Sequence, residues 1–283
     1  MIKKIMKILY PFLLLIFFCS SCTRTGLDSL IVFFISGGQV YSVDYDGQNI
    51  KRLTNDLNSY HSVSSSMDGE SLLLSADNGN MYLLNYSGGE SVYFTDGKYG
   101  TYGPSGDVYY IRKGGSFYNI IARCDSNGDN ITHIKVMAAD VDIYSISCSP
   151  DEKKLAIYYW QSGPSYSASM SLVTLSDPQT ITNTGLYPAY SPLNNDLLSI
   201  IAVDYLRITY QDSTFIDLYT SAYGTISSRP AWSPDGEYIF FAYNPADPAL
   251  KEIMRIKADG SEIMTVNTFS TAITAFCVHG KPR

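Results

Sequence analysis

The stretch AWSPDGEYIFF, Ala231 to Phe241, turns on a Pro-Asp-Gly corner placed directly before a short aromatic run. That corner recurs along the chain. With Pro234 as the reference, the equivalent positions are Pro192, Pro150 and Pro104, then Met67 in MDGESLLL and Leu27 in LDSLIVFF. From the N-terminus the intervals are 40, 37, 46, 42 and 42 residues, which makes six copies. A spacing this regular constrains the fold more than composition does, because each unit must bury its apolar face against the next.

A second corner follows in most copies, in DYDGQNI from Asp44, NYSGGES from Asn85, DSNGDNI from Asp125 and KADGSEI from Lys257. Pro presets φ in such turns, Asp or Asn bonds the local backbone, and Gly takes the left-handed position. Asp-Gly between alternating apolar runs signals a hairpin. Each unit therefore reads as four short strands, in the last copy near residues 228–233, 237–244, 252–257 and 262–267. The runs are rich in Ile, Val, Tyr and Phe, and no stretch shows a sustained helical period. The 24 tyrosines and 12 phenylalanines suit sheets packed face to face.

Units of this length with four strands each predict an all-β, six-bladed β-propeller of antiparallel blades. The first copy begins at its corner and lacks an innermost strand. The C-terminal TAITAFCV, Thr271 to Val278, lies where a seventh innermost strand would begin. It is expected to complete the first blade and close the ring.

The corner, with Trp232 two residues before Pro234, resembles the TolB-type propeller repeat, a relative of the tryptophan-aspartate repeat. The resemblance runs from Leu27 to the end of the chain. It implies a bacterial envelope protein that binds another protein, such as a peptidoglycan-associated lipoprotein, or an envelope polymer. TolB proteins have an additional N-terminal domain and no lipid anchor, so a relative rather than TolB itself is expected.

The N-terminus reads as an export leader. Lys3, Lys4 and Lys7 precede an apolar run from Ile8 to Phe18, followed by small residues. Eleven apolar residues are too few to span a bilayer, which takes about 20 in a helix. Ser20-Ser21 before Cys22 resembles the bacterial lipobox, with a departure at Cys19. By that resemblance residues 1–21 are a signal peptide, Cys22 is lipidated, 22–26 form a short linker and 27–283 the propeller. The implied location is the envelope, anchored through the lipid at the outer membrane and facing the periplasm or the cell surface.

Loss of the three leader lysines takes the net charge from −7 to −10. Phosphate-binding proteins need a basic footprint, so a nucleic-acid partner is not expected. Cys124, Cys148 and Cys277 remain, an odd number at no zinc spacing, and no cofactor is expected.

In a four-stranded blade the two tight corners share one face of the ring. The longer connections between strands two and three, and between blades, share the other. Binding residues concentrate on variable loops held by a rigid scaffold. The candidates at that loop-side mouth are Tyr60, His61, Lys98, Tyr99, Tyr102, Arg112, Lys113, Trp160 and Tyr166. Aromatics with Arg and Lys suit a peptide, a glycan or a partner's loop, and the first expectation is a non-catalytic binding scaffold. The alternative is a hydrolase or lyase acting on a sugar or lactone, which requires carboxylates and His61 to converge on the mouth. DSNGDN from Asp125 has the oxygen spacing of a calcium loop, but Val136 stands at the bidentate Glu position, so it reads as a turn. Trp232, Cys148 and Cys277 share one repeat position, which predicts interior packing.

Overall fold

The computed structural model describes residues 30–163, 167–176, 180–183, 185–221 and 223–280. The leader, Cys22, Leu27 and Tyr166 lie outside the described residues. Within them there is no helix, and the strands form six small antiparallel sheets around a ring.

Blade 1 is closed by the chain's two ends. Its innermost strand is Ile273–Gly280, followed outward by Leu30–Ser36, Gln39–Asp44 and Lys51–Arg52. The seam pairs Leu30 with Gly280, Phe33 with Cys277 and Ile35 with Ala275. Blade 2 runs Tyr60–Ser65, Ser71–Ala76, Asn80–Asn85 and Val92–Asp96. Blade 3 runs Lys98–Tyr102, Val108–Gly114, Phe117–Cys124 and Thr132–Val136. Blade 4 comprises Val141–Cys148, Lys154–Gln161, Ser167–Thr174 and Thr180–Asn183. Blade 5 comprises Leu186–Tyr190, Leu197–Ile201, Tyr205–Thr209 and Phe215–Thr220.

Blade 6 departs from the expected continuous inner strand. Only Thr225–Ile226 and Ala231–Trp232 pair with Tyr238–Asn244, and Lys251–Lys257 and Met264–Phe269 complete the sheet. The break carries Pro230, which has no N–H to give a ladder.

A serine fixes the first corner. Ser66, Ser149 and Ser233 immediately precede the reference position and are buried at 6% exposure or less. Ser149 Oγ donates to Asp151 Oδ1 at 2.7 Å and accepts from the Lys154 backbone N–H at 2.9 Å. Ser66 and Ser233 make the same pair of bonds, to Asp68 and Asp235 and from the N–H groups of Ser71 and Tyr238. Pro-Asp-Gly is thus the visible half of a Ser-x-Asp clamp that satisfies a buried hydroxyl and a strand-end amide together.

The second corner reaches back to the neighbouring blade. Gly47 has φ +84, and a Cβ there would meet the Val266 carbonyl oxygen of blade 6. Asp125 is occupied as a turn residue, accepting from the backbone N–H groups of Asn127 and Asp129 and from Asn130 Nδ2.

Apolar side chains fill the gaps between blades. Phe34, Phe240 and Phe276 join blades 6 and 1, and Phe33, Leu72 and Leu74 join blades 1 and 2. Leu73 with Tyr110, Ile111 with Ile157, Tyr190 with Met170, and Leu198 with Phe241 fill the remaining four interfaces. Packed this way the ring leaves its centre as a channel.

Candidate functional site

The innermost strands are regular near the tight corners and irregular at their other ends. In blade 2, Tyr60 pairs with Ala76 and Ser62 with Ser75, so His61 is an extra residue. Tyr144 is extra in the same way between Ile143 and Ser145, and Thr274 between Ile273 and Ala275. In blades 3 and 5 the shifts fall at Tyr99-Gly100 and Tyr187-Pro188. In blade 6 the strand opens at Arg229-Pro230. Bulges of this kind re-aim side chains. Tyr99 and Tyr187 have φ of +55 and +51, an uncommon conformation for an aromatic residue. Tyr99 is held there by its N–H, which donates to Ser75 Oγ at 2.9 Å.

The consequence is a ring with one residue from each blade. His61, Tyr99, Tyr144, Tyr187, Arg229 and Thr274 line a compartment of about 150 Å³ at the loop-side end of the channel. The His61 and Tyr99 rings meet edge to face at 5.0 Å, and Tyr99 and Tyr144 lie 6.0 Å apart. Tyr158, behind the ring, stands 6.5 Å from Tyr144 and 4.8 Å from Tyr187. Burial first, then a hydrogen bond to the Asp142 carboxylate, pushes the Tyr144 hydroxyl up to about 12.

His61 Nδ1 lies 3.0 Å from Asp77 Oδ1. An ionised carboxylate only accepts, so Nδ1 carries the proton in the neutral ring, and Nε2 presents a lone pair. Nε2 is buried without a partner among the described residues. Burial, followed by the Lys98 charge, lowers the His61 pKa, which keeps the ring neutral at pH 7. Ser145 Oγ, on the same wall, is also buried without a partner among the described residues.

Arg229 stands at the channel's waist with Val63 and Phe276, bordering both ends. Its side chain is partly buried and lines the channel. Burial lowers its pKa to about 10, so it is still a cation at neutral pH. Among the described residues no carboxylate or hydrogen-bond acceptor pairs with it; its titratable neighbour is the Cys277 thiol.

Beyond the waist a second compartment of about 340 Å³ opens toward the tight corners. Met67, Pro104, Pro150, Pro192 and Pro234, five of the reference positions, rim it together with His279, which follows Cys277 by two residues as Pro234 follows Trp232 and so takes the reference position of the closing strand. Its wall holds Tyr102, Tyr190, Trp232, Cys148 and Cys277. Trp232 Nε1 donates to the Ala189 carbonyl of blade 5 at 3.1 Å, and Cys148 and Cys277 pack into inter-blade clusters. Burial pushes the Cys148 thiol up to about 12 and Cys277 higher, so both are protonated and poorly nucleophilic.

Of the candidate residues, His61 and Tyr99 are brought together in the loop-side ring. Tyr60, one residue earlier, faces the other way into the core, where its hydroxyl donates to Asp56 at 2.7 Å. Lys98 lies over the Tyr118 ring at 4.7 Å. Arg112 is engaged with Asp96 at 2.8 Å, and Lys113 is exposed on the same strand. Trp160 is 44% exposed, its Nε1 donating to Tyr158 Oη at 2.8 Å. Tyr102 lines the corner-side compartment. Sequence reasoning missed Tyr144, Tyr187, Arg229 and Thr274. A signal existed: Tyr99, Tyr187, Arg229 and Thr274 all stand five residues before the reference position, and His61 and Tyr144 six.

Among the described residues no three His, Cys, Asp or Glu side chains are grouped to hold a metal ion, and no helix is long and apolar enough to cross a membrane. No protein-family model and no curated protein matches the chain. Solved structures do match. TolB from Acinetobacter baumannii superposes with a TM-score of 0.69 at 12% identity, over 88% of this chain and 66% of that one. A protein from Agrobacterium tumefaciens named after TolB gives 0.66 at 16% identity, over 90% of this chain and 99% of that one. An oligogalacturonate lyase in complex with manganese gives 0.53 at 15% identity, over 84% and 72%. At these identities the likeness establishes the fold: this chain is a six-bladed β-propeller.

Proposed function

We propose that this chain is a lipid-anchored propeller of the bacterial envelope that binds a protein or polymer at the loop-side mouth of its channel, as a scaffold and without chemistry. The observation that carries this reading is the six-residue ring, three of it tyrosine, assembled by an irregularity in every blade. Rigid aromatic anchors beside an Arg are the usual composition of a binding centre. Leu57 and Tyr223, on loop-side connections, and Trp160, near the loop-side end of its strand, are 105%, 83% and 44% exposed and supply apolar contact area around the mouth. The lipobox-like Ser20-Ser21-Cys22 and the shared fold with TolB support an envelope location, at the outer membrane, with a peptidoglycan-associated protein as one partner.

The test is capture from envelope extract after crosslinking. Wild-type protein is expected to retain a partner that a Tyr144→Ala, Tyr187→Ala double variant loses; a partner retained equally by both overturns the site. Cys22→Ala is expected to release the protein from the membrane fraction.

The Asp77–His61 pair favours a second reading, an enzyme acting on a sugar or lactone. A neutral imidazole oriented by a carboxylate, with its free Nε2 in a compartment that also holds a cation, is equipped as a general base. Turnover of such substrates by the wild type and its loss in His61→Gln would select this reading over the scaffold.

A further inference from the structure

Arg229 is a partly buried guanidinium that lines both compartments of the channel, with no counter-charge or hydrogen-bond partner among the described residues. A cation that faces a channel with no counter-charge is open to an anionic group of a ligand. We propose that the loop-side compartment binds the carboxylate group of a ligand, with Arg229 as its anchor. The inference rests on the loop-side mouth being the binding end.

Three observations select a carboxylate. First, the planar fork of a guanidinium matches a carboxylate through two parallel hydrogen bonds. Second, among the described residues Arg229 is the cation that lines this compartment, with the Lys98 charge acting on His61 beside it, while Asp77 and Asp142 stand directly behind His61 and Tyr144. The two carboxylates behind the wall disfavour a ligand carrying more than one negative charge, such as phosphate. Third, about 150 Å³ admits a carboxylate and a few carbons, not a polymer unit with its neighbours. The carboxylate is therefore an end or side group of something held outside the mouth. Ser145 Oγ, buried without a partner among the described residues, supplies a further donor, and the Tyr99, Tyr144 and Tyr187 rings wall the carbons.

A peptide side chain and a sugar acid both present this group, and matched probe pairs distinguish them. Purified protein is titrated with acetate against acetamide, with N-acetylglutamate amide against its glutamine counterpart, and with glucuronate against glucose. The arginine Nε–H signals are followed by NMR, and the Arg229 signal is assigned by its loss in Arg229→Gln. Each acid is expected to shift that signal saturably and to bind at least tenfold tighter than its neutral partner. Tighter binding of glucuronate than of acetate marks a sugar acid as the source, and of the glutamate amide a peptide; either supports the proposal. No saturable shift, equal shifts from acid and neutral analogue, or phosphate binding as tightly as acetate overturns it. Should Arg229→Gln fail to fold, the acid and neutral pairs on wild-type protein decide alone. Partner capture that persists without acid preference overturns only the carboxylate site; loss of both overturns the binding end itself.

Discussion

The two ends of the channel are built from the same six strands and differ in almost everything else. At the corner end the strands are regular, the serine clamps are saturated with hydrogen bonds, and prolines stand at four of the six rim positions. At the loop end the ladders shift or break, two tyrosines hold left-handed backbone, and Arg229, His61 Nε2 and Ser145 Oγ lie without partners among the described residues. The difference separates tasks. The serine clamps and a repeated turn hold the ring; at the loop end the unpartnered groups that converge on the channel are what a ligand completes.

Substitutions can break or sharpen this contrast. The largest effect belongs to neither end: Phe34, fully buried at the seam of blades 6 and 1, should cost about 3–5 kcal/mol when replaced by Ala, as read from denaturant unfolding. At the corner end, Ser149→Ala leaves a strand-end amide without its acceptor and should cost about 1–3 kcal/mol, with partner capture unchanged. At the loop end, Tyr144→Phe, at a side chain 39% exposed, should move stability by no more than about 0.5 kcal/mol. A loop-end change as costly as the corner-end one would erase the distinction.

The smallest expected effect is in pH. His61 at the loop end and His279 at the corner end both have pKa values lowered, first by burial. The unfolded chain binds protons to them before the folded one does. Their contribution is therefore complete above about pH 6.5 and declines as pH falls from there toward the folded values. His61→Gln and His279→Gln should each flatten part of that decline. Asp68 and Asp77, held below the usual carboxylate range by hydrogen bonds from Ser66 and Ser59, act in a lower window, losing stability as pH falls below about 4.

The fold was legible because turn chemistry is local. Pro150-Asp151 and Asp235-Gly236 announce a corner wherever they stand, and their interval announces the ring. The closing strand was legible from the same counting, since Cys277 falls at the position of Trp232. The site was less so. Strand side chains alternate, so one inserted residue decides that Tyr60 enters the core while His61 enters the channel. No residue type marks where the bulge falls; its trace in the sequence is the distance of five or six residues from the corner. Arg229, next to Pro230, reads as an ordinary loop charge until six strand ends converge on it.

The central claim is that recognition belongs to the loop end. A photo-crosslinking residue placed at Tyr144, or instead at Met67, 62% exposed on the corner-side rim, tests it in intact envelopes. Crosslinks to a partner from position 144 and none from 67 are the predicted result; crosslinks from 67 alone, or equally from both, would contradict the account.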